Sequence, residues 1–113
     1  MDKQLKYQQL IKELCRRYAA QIKPHPTPGV DLELLLDDTY ANYMLIHVGW
    51  FKQERNRDIT LYLRVKEGKI WIEEDWLEQG VATDLLAAGV PKEDIVLAFQ
   101  SPTMRPLTEF ALA

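Results

Sequence analysis

One stretch of the sequence, from Gly68 to Phe99, constrains the fold more than any other. Residues 69–74 have the composition of a β-strand, and residues 95–99 form a second strand that is wholly apolar. The segment between them predicts a helix over residues 76–88. Such a connection is long enough for the last strand to lie parallel to an earlier one.

Both ends of that helix carry recognisable signals. Asp75 and Glu78 have the spacing of a capping box, in which each side chain bonds a free backbone N–H of the first turn. Gly89, Val90 and Pro91 supply a left-handed residue, an apolar contact and a stop. The sequence therefore predicts a strand, a capped helix and a returning strand as the central unit.

The chain before this unit predicts one helix and three further strands. Apolar residues recur at helical spacing between Leu5 and Tyr18, and three prolines between Lys23 and Gly29 then predict a stiff linker. Short polar breaks separate the strands, which favours antiparallel hairpins. If Glu67-Gly68 closes the last hairpin as a two-residue turn, Val65 faces Ile70 and Tyr62 faces Glu73. With the first strand of the central unit, the predicted antiparallel strands are Val30–Asp37, Tyr43–Phe51, Asp58–Lys66 and Lys69–Glu74.

The predicted fold class is α+β, with an N-terminal helix, a four-stranded antiparallel meander, a capped helix and a fifth strand, and with the helices packed on one sheet face. Alternation assigns to the core face Val30, Leu32, Leu34, Leu36, Met44, Ile46, Val48, Trp50, Ile59, Leu61, Leu63, Val65, Ile70 and Ile72. The opposite face mixes charged and aromatic residues. With the start of the helix, it gives a candidate partner or oligomer face made of Tyr43, His47, Tyr62, Arg64, Trp71, Trp76 and Leu77.

Length and composition place further bounds on the protein. A chain of 113 residues is expected to form a single domain, residues 1–113. No apolar run reaches the roughly 20 residues that span a bilayer, and no signal peptide is evident, so we expect a cytoplasmic protein with no membrane contact. The single cysteine, Cys15, agrees with a reducing compartment. The tail after Ser101 still carries apolar residues and is expected to dock on its own body or on a neighbour.

The residues that could support catalysis form no recognisable constellation. His25 lies between prolines and His47 within a strand, without the ligand spacing of a metal site. Cys15 falls on the apolar stripe of the first helix, and Asp75 is assigned to the helix cap. We therefore expect no enzyme activity, no metal and no cofactor. A hydrolase that uses His47 with the acidic run 73–75 is the least favoured interpretation.

Direct nucleic-acid binding is the alternative that the sequence leaves open. The first helix offers a candidate basic patch of Lys12, Arg16 and Arg17. Tyr62, Arg64 and Trp71 would form an aromatic platform, although Arg64 stacked on Trp71 is the simpler structural interpretation. The net charge of −3 argues against a stand-alone binder, because such binding relies on surplus Lys and Arg.

Several stretches, read in order along nearly the whole chain, resemble the XisI family, the fdxN element excision controlling factors. These stretches are residues 46–50 (IHVGW), 68–72 (GKIWI), 78–86 (EQGVATDLL) and 89–99 (GVPKEDIVLAF), followed by Pro102, Arg105 and residues 108–111 (TEFA). Two departures from the family pattern are visible. Trp76-Leu77 replaces a pair of the Gly-Thr type, and Gln100 replaces a histidine.

The resemblance implies a function that the residue chemistry does not supply. It implies a non-enzymatic factor of nitrogen-fixing cyanobacteria that acts with a partner, XisH, and a site-specific recombinase, XisF. Together these would control the excision of a DNA element during heterocyst differentiation. We expect a homo-oligomer that contacts DNA indirectly, if at all, and the apolar Trp76-Leu77 pair would strengthen a protein contact.

Overall fold

The computed structural model describes residues 2–23 and 27–113. The middle of the proline-rich linker, residues 24–26 with His25, lies outside the described residues. In chain order the elements are α1 (Lys3–Ile22), β1 (Val30–Asp37), β2 (Asn42–Phe51), β3 (Glu54–Lys66), β4 (Lys69–Asp75), α2 (Val81–Ala87), a 3-10 turn (Lys92–Asp94), β5 (Ile95–Leu97) and a second 3-10 turn (Arg105–Leu107).

The strands form one five-stranded sheet in the order β1-β2-β3-β4-β5. The first four are antiparallel neighbours, and β5 is parallel to β4. The predicted α+β class and meander are therefore confirmed. The helix α1 packs over β1, β2 and β3, and buried residues of α2 join the same core. The helices thus cover a single face of the sheet.

The turn between β3 and β4 sets the register that the sequence predicts. Glu67 and Gly68 have φ angles of 55° and 75°, the left-handed pair of a two-residue hairpin turn. The register then shifts between Tyr62 and Leu63. Tyr62 therefore pairs with Glu74 and not with the predicted Glu73, because a β-bulge adds one residue to β4.

The second helix begins later than predicted, at Val81 instead of residue 76. The Asp75 carboxylate accepts from the backbone N–H of Leu77 at 3.1 Å and of Val81 at 2.7 Å. It therefore holds a loop of five residues before the helix starts, and the predicted bond of Glu78 back to Asp75 does not form among the described residues. The Asp75 carboxylate thus caps the helix, although it lies further before the helix start than the predicted capping box requires.

The end of α2 is as predicted. Gly89 has a φ of 92°, and the N–H of Val90 donates to the carbonyl of Leu85 at 3.0 Å. The Gly89 N–H donates to Leu86, which completes a Schellman motif. The chain then returns to the sheet, although β5 stops at Leu97 instead of Phe99 because a turn follows at once. Beyond it, the tail docks on its own body, since the Ala111 N–H donates to Ile95 at 2.8 Å.

The face assignment of β2 was wrong, and so was that of Ile59 in β3, which a β-bulge at Thr60 turns to the face opposite Leu61. Tyr43 and Leu45 are 0% exposed and lie under α1, whereas Met44, Ile46, Val48 and Trp50 lie on the opposite face. Both faces of β2 are apolar, so alternation alone cannot choose between them. The four-residue turn 38–41 places Asp37 opposite Asn42, and this register puts Tyr43 beside Leu36 in the interior.

This assignment predicts unequal costs for two leucines. Leu45→Ala removes a fully buried side chain and should lower the free energy of unfolding by about 2–5 kcal/mol. Leu5→Ala, the control, removes a side chain of α1 that is 53% exposed and should cost less than about 1 kcal/mol. Urea titrations followed by circular dichroism measure both. Equal costs would contradict the register.

Candidate functional site

Three sets of polar side chains, each built around a tyrosine–aspartate hydrogen bond, fix α1 against the rest of the molecule. Each aspartate also binds a cation from α1. In the first set, Asp94 accepts from the Tyr7 hydroxyl at 2.5 Å and pairs with Lys3 at 2.9 Å. In the second, Asp84 accepts from the Tyr18 hydroxyl at 2.5 Å and pairs with Arg17 at 3.5 Å. In the third, Asp38 accepts from the Tyr43 hydroxyl at 2.7 Å and pairs with Lys12 at 2.8 Å. The three sets lie at separate points along α1, so both ends and the middle of the helix are fixed.

The middle set has a fourth member, Gln8. Its amide donates to the hydroxyl of Tyr43 at 2.7 Å and to the backbone carbonyl of Asp38 at 3.0 Å. Burial, followed by the hydrogen bond to Asp38, raises the pKa of Tyr43 to about 12. The hydroxyl is therefore a neutral, fully bonded group at neutral pH, and this explains how a tyrosine can occupy the core.

These pairs account for two of the three residues in the candidate basic patch. Lys12 is largely buried and bonded to Asp38, and Arg17 pairs with Asp84. Arg16 is exposed and has no carboxylate within ion-pair distance among the described residues. The patch is thus reduced to one uncompensated charge, which is a weak attraction for phosphate.

The side chains considered for catalysis are engaged elsewhere. Cys15 is fully buried, and burial raises the pKa of its thiol to about 12. His47 lies on the helix-covered face and bonds the hydroxyl of Thr60 at 2.7 Å. Glu73 pairs with Arg64 at 3.2 Å, and Asp75 holds the start of α2. In residues 2–23 and 27–113, no three His, Cys, Asp or Glu side chains converge as metal ligands would.

The residues of the predicted partner face do not share one surface. Tyr43 is in the core, His47 is half-buried on the helix side, and Leu77 packs on the core. Trp76 is 74% exposed beyond the end of β4 and donates to Glu74 at 2.9 Å. Tyr62, Arg64 and Trp71 do share the sheet face opposite α1, where the Tyr62 hydroxyl donates to Asn42 at 2.8 Å.

The predicted stacking of Arg64 on Trp71 is wrong. Lys66 and Arg105 lie over the Trp71 ring instead, at 4.4 Å and 5.8 Å from its centre. Arg105 comes from the tail, where its guanidinium also donates to the carbonyls of Gln100 and Leu112. Trp71 is therefore buried under a cationic cover and is not available as a stacking platform.

A surface that the sequence did not reveal lies next to this tryptophan. We define the open face as the side of β1, β2 and β3 that faces away from α1. Its apolar members are Leu35, Met44, Ile46, Val48, Trp50 and Ile59. Trp50 is 58% exposed there. The only sequence signal for this face is that β2 is apolar on both sides, which indicates that something covers each side.

No helix in the described part of the chain is long and apolar enough to cross a membrane.

Comparison with known proteins decides the family. The family described as XisI protein matches residues 1–112. The chain belongs to the XisI family. The resemblance inferred from the ordered motifs is therefore confirmed. A separate comparison with curated proteins gave no match.

Two solved structures of XisI proteins share the fold, both from Anabaena variabilis ATCC 29413. One is a XisI-like protein with a TM-score of 0.90 and 34% identity, which covers 97% of this chain and 99% of that chain. The other is described as the fdxN element excision controlling factor XisI, with a TM-score of 0.87 and 37% identity, which covers 99% of this chain and 100% of that chain. The likeness thus extends over whole chains.

The two departures from the XisI pattern lie at the ends of β4 and β5. Trp76 adds an exposed ring beside the loop that leads into α2. Gln100 is half-buried in the turn after β5, where its carbonyl accepts from Arg105 Nε at 3.1 Å. Because this bond uses the backbone carbonyl of residue 100, it does not depend on which side chain follows Phe99.

The set formed by Tyr7, Asp94 and Lys3 predicts that the stability difference between wild type and Asp94→Asn depends on pH. Burial raises the pKa of Asp94, but the Tyr7 hydroxyl and the Lys3 ammonium outweigh it and lower the pKa overall. Ionised Asp94 therefore stabilises the fold above its unfolded pKa of about 3.9, and this stabilisation is lost as the pH falls through the lower, folded pKa. Asp94→Asn should reduce stability at pH 7 by about 1–3 kcal/mol.

The gap in unfolding free energy between wild type and Asp94→Asn should narrow as the pH falls below about 4, because Asp94 in the unfolded chain takes up a proton first and the folded carboxylate follows only at its lower pKa. Urea titrations at pH 7 and pH 3 measure it. Glu93→Gln removes the neighbouring, exposed carboxylate and serves as the control, with little effect at either pH. A gap that stays constant down to pH 3 would show that the charge of Asp94 contributes nothing.

The buried thiol predicts slow chemical labelling. Native Cys15 should react with a disulfide reagent at pH 8 only as fast as the protein opens, since the thiol is both inaccessible and protonated. In denaturant the same thiol should react at once. Gln9→Cys, which places a second thiol at an exposed position of α1, is the control and should label in the native state. Rapid labelling of wild type would revive Cys15 as a reactive group.

Proposed function

We propose that this XisI-family protein is a non-enzymatic accessory factor that controls the site-specific excision of a DNA element. One observation carries the proposal: the chain matches, over 99% of its length and at 37% identity, a protein described as the fdxN element excision controlling factor. Both chains are covered almost completely, so no additional domain of that protein is needed for the comparison.

Two features of the side chains support action through protein contacts. His47, Glu73 and Asp75, the residues of the hydrolase hypothesis, each hold a neighbouring part of the fold. The Cys15 side chain is fully buried in the core. The open face, in contrast, exposes Leu35, Trp50 and Ile59, and contiguous apolar surface of this kind is typical of protein interfaces.

The partners follow from the family and are part of the proposal. We expect a homo-oligomer that binds an XisH-like protein and, with it, a site-specific recombinase. DNA contact is assigned to the recombinase, because Lys12 and Arg17 are paired with carboxylates and the whole chain is acidic. The accessory protein would then act on assembly of the recombinase complex.

An excision reporter tests the role. Two recombination sites flank a marker in a cell that supplies the recombinase and the XisH-like protein, and the excised junction is quantified by PCR. Removing this protein should change the junction yield by about tenfold or more, since couplings of this size are typical between linked binding events. A recombinase with its nucleophile removed is the control. An unchanged yield would contradict the proposal.

A gel shift separates protein contacts from direct DNA binding. The purified protein alone should not shift the recombination site at 50–200 mM salt, a range in which phosphate contacts weaken steeply. A salt-sensitive shift that is lost in Arg16→Ala would favour the alternative, a nucleic-acid binder that uses the remaining exposed cation of the basic patch.

A further inference from the structure

The charged residues on the two sides of the open face have opposite signs. Its centre is β2, with Ile46, Val48 and Trp50. On the β1 side the face is acidic, with exposed Asp31 and Glu33, and on the β3 side it is basic, with exposed Arg55 and Arg57. None of these four charged side chains forms a salt bridge within residues 2–23 and 27–113.

The register places opposite charges in one row. Asp31 pairs with Val48, and Val48 pairs with Arg57, so the three residues lie side by side across β1, β2 and β3. Asp31 and Arg57 are two strands apart, about 10 Å in the sheet, and an apolar side chain separates them. Within one chain the two charges are therefore not in contact.

A second copy of the chain would bring these charges together. When two such faces meet about a two-fold axis that runs along β2, β1 of one copy lies over β3 of the other. Asp31 then meets Arg57 of the second copy, and Arg57 meets Asp31 of the second copy, in two equivalent contacts. A two-fold axis across the strands would instead stack β1 on β1 and oppose acidic residues, so the charges select the first arrangement.

We infer that the open face packs against the open face of a second copy of this chain, about a two-fold axis along β2. The apolar row of β2 forms the centre of the interface, and the Asp31–Arg57 pairs form its border. Sheets packed in this way cross at about 30°, which keeps the strands aligned closely enough for both pairs. The inference rests on the proposed homo-oligomer but not on the excision role.

Charge swaps test the interface in the full chain. By analytical ultracentrifugation the wild type should have twice the 13.2 kDa mass of one chain. Asp31→Arg or Arg57→Asp alone should raise the dimer Kd by about tenfold or more, because each turns two attractive contacts into two repulsive ones. The double variant should regain dimerisation. Glu13→Arg and Arg16→Asp make the same charge changes on exposed positions of α1 and should have no effect.

A cross-link tests the position of the axis. Val48 lies on the proposed axis, so Val48→Cys in each copy should be joined by a short bismaleimide, while the buried Cys15 stays unreactive. Asp58→Cys, on the helix-covered side of the neighbouring strand, is the control and should not cross-link.

The outcomes separate this inference from the proposed function. A wild-type monomer at high concentration, or a dimer that ignores both swaps, would overturn the interface. The same holds if the swaps instead disrupt binding of the XisH-like partner to a monomer. A wild-type chain that is monomeric but whose removal changes the junction yield in the excision reporter would overturn the interface and leave the excision role standing. A wild-type dimer with the expected swap pattern, whose removal leaves the junction yield unchanged, would do the reverse.

Discussion

A single long amphipathic helix decides which side of this sheet becomes interior. The buried stripe of α1, which includes Tyr7, Ile11 and Leu14, packs on Leu45, Leu61 and Leu63 and their neighbours. In the described chain α2 is the only other α-helix, and its seven residues join the same layer. A five-stranded sheet covered on one side necessarily leaves the other side to solvent, to the tail, or to another molecule.

The polar anchors of α1 connect this packing to the surface charge. Three tyrosine hydroxyls in the helix interface need acceptors, and three aspartates provide them. Each of those aspartates then recruits a Lys or Arg from α1. The demand for buried hydrogen bonds therefore compensates part of the positive charge on α1, and the same contacts that stabilise the fold lower the attraction of this helix for phosphate.

The parts of the fold that depend on local chemistry could be predicted from the sequence. The stripe of α1, the Glu67-Gly68 turn and the Gly89 helix end are each encoded within a few residues. The face of β2 could not be predicted, because Tyr43 and Met44 are both plausible core residues until the turn at 38–41 sets the register. The Tyr7–Asp94 bond joins residues 87 positions apart, and no local pattern predicts such a pair. The open face was missed for the same reason as the β2 register.

The two edges of the sheet limit how copies of this protein can combine. At one edge, β1 presents Asp31, Glu33 and Asp37 along eight residues, and like charges repel a neighbouring copy of the same strand. At the other edge, β5 has only three residues and is already bridged by Ala111. Growth by adding strand to strand is therefore blocked in both directions. Face-to-face packing about a two-fold axis, in contrast, uses neither edge, closes after two copies and does not extend into a fibril.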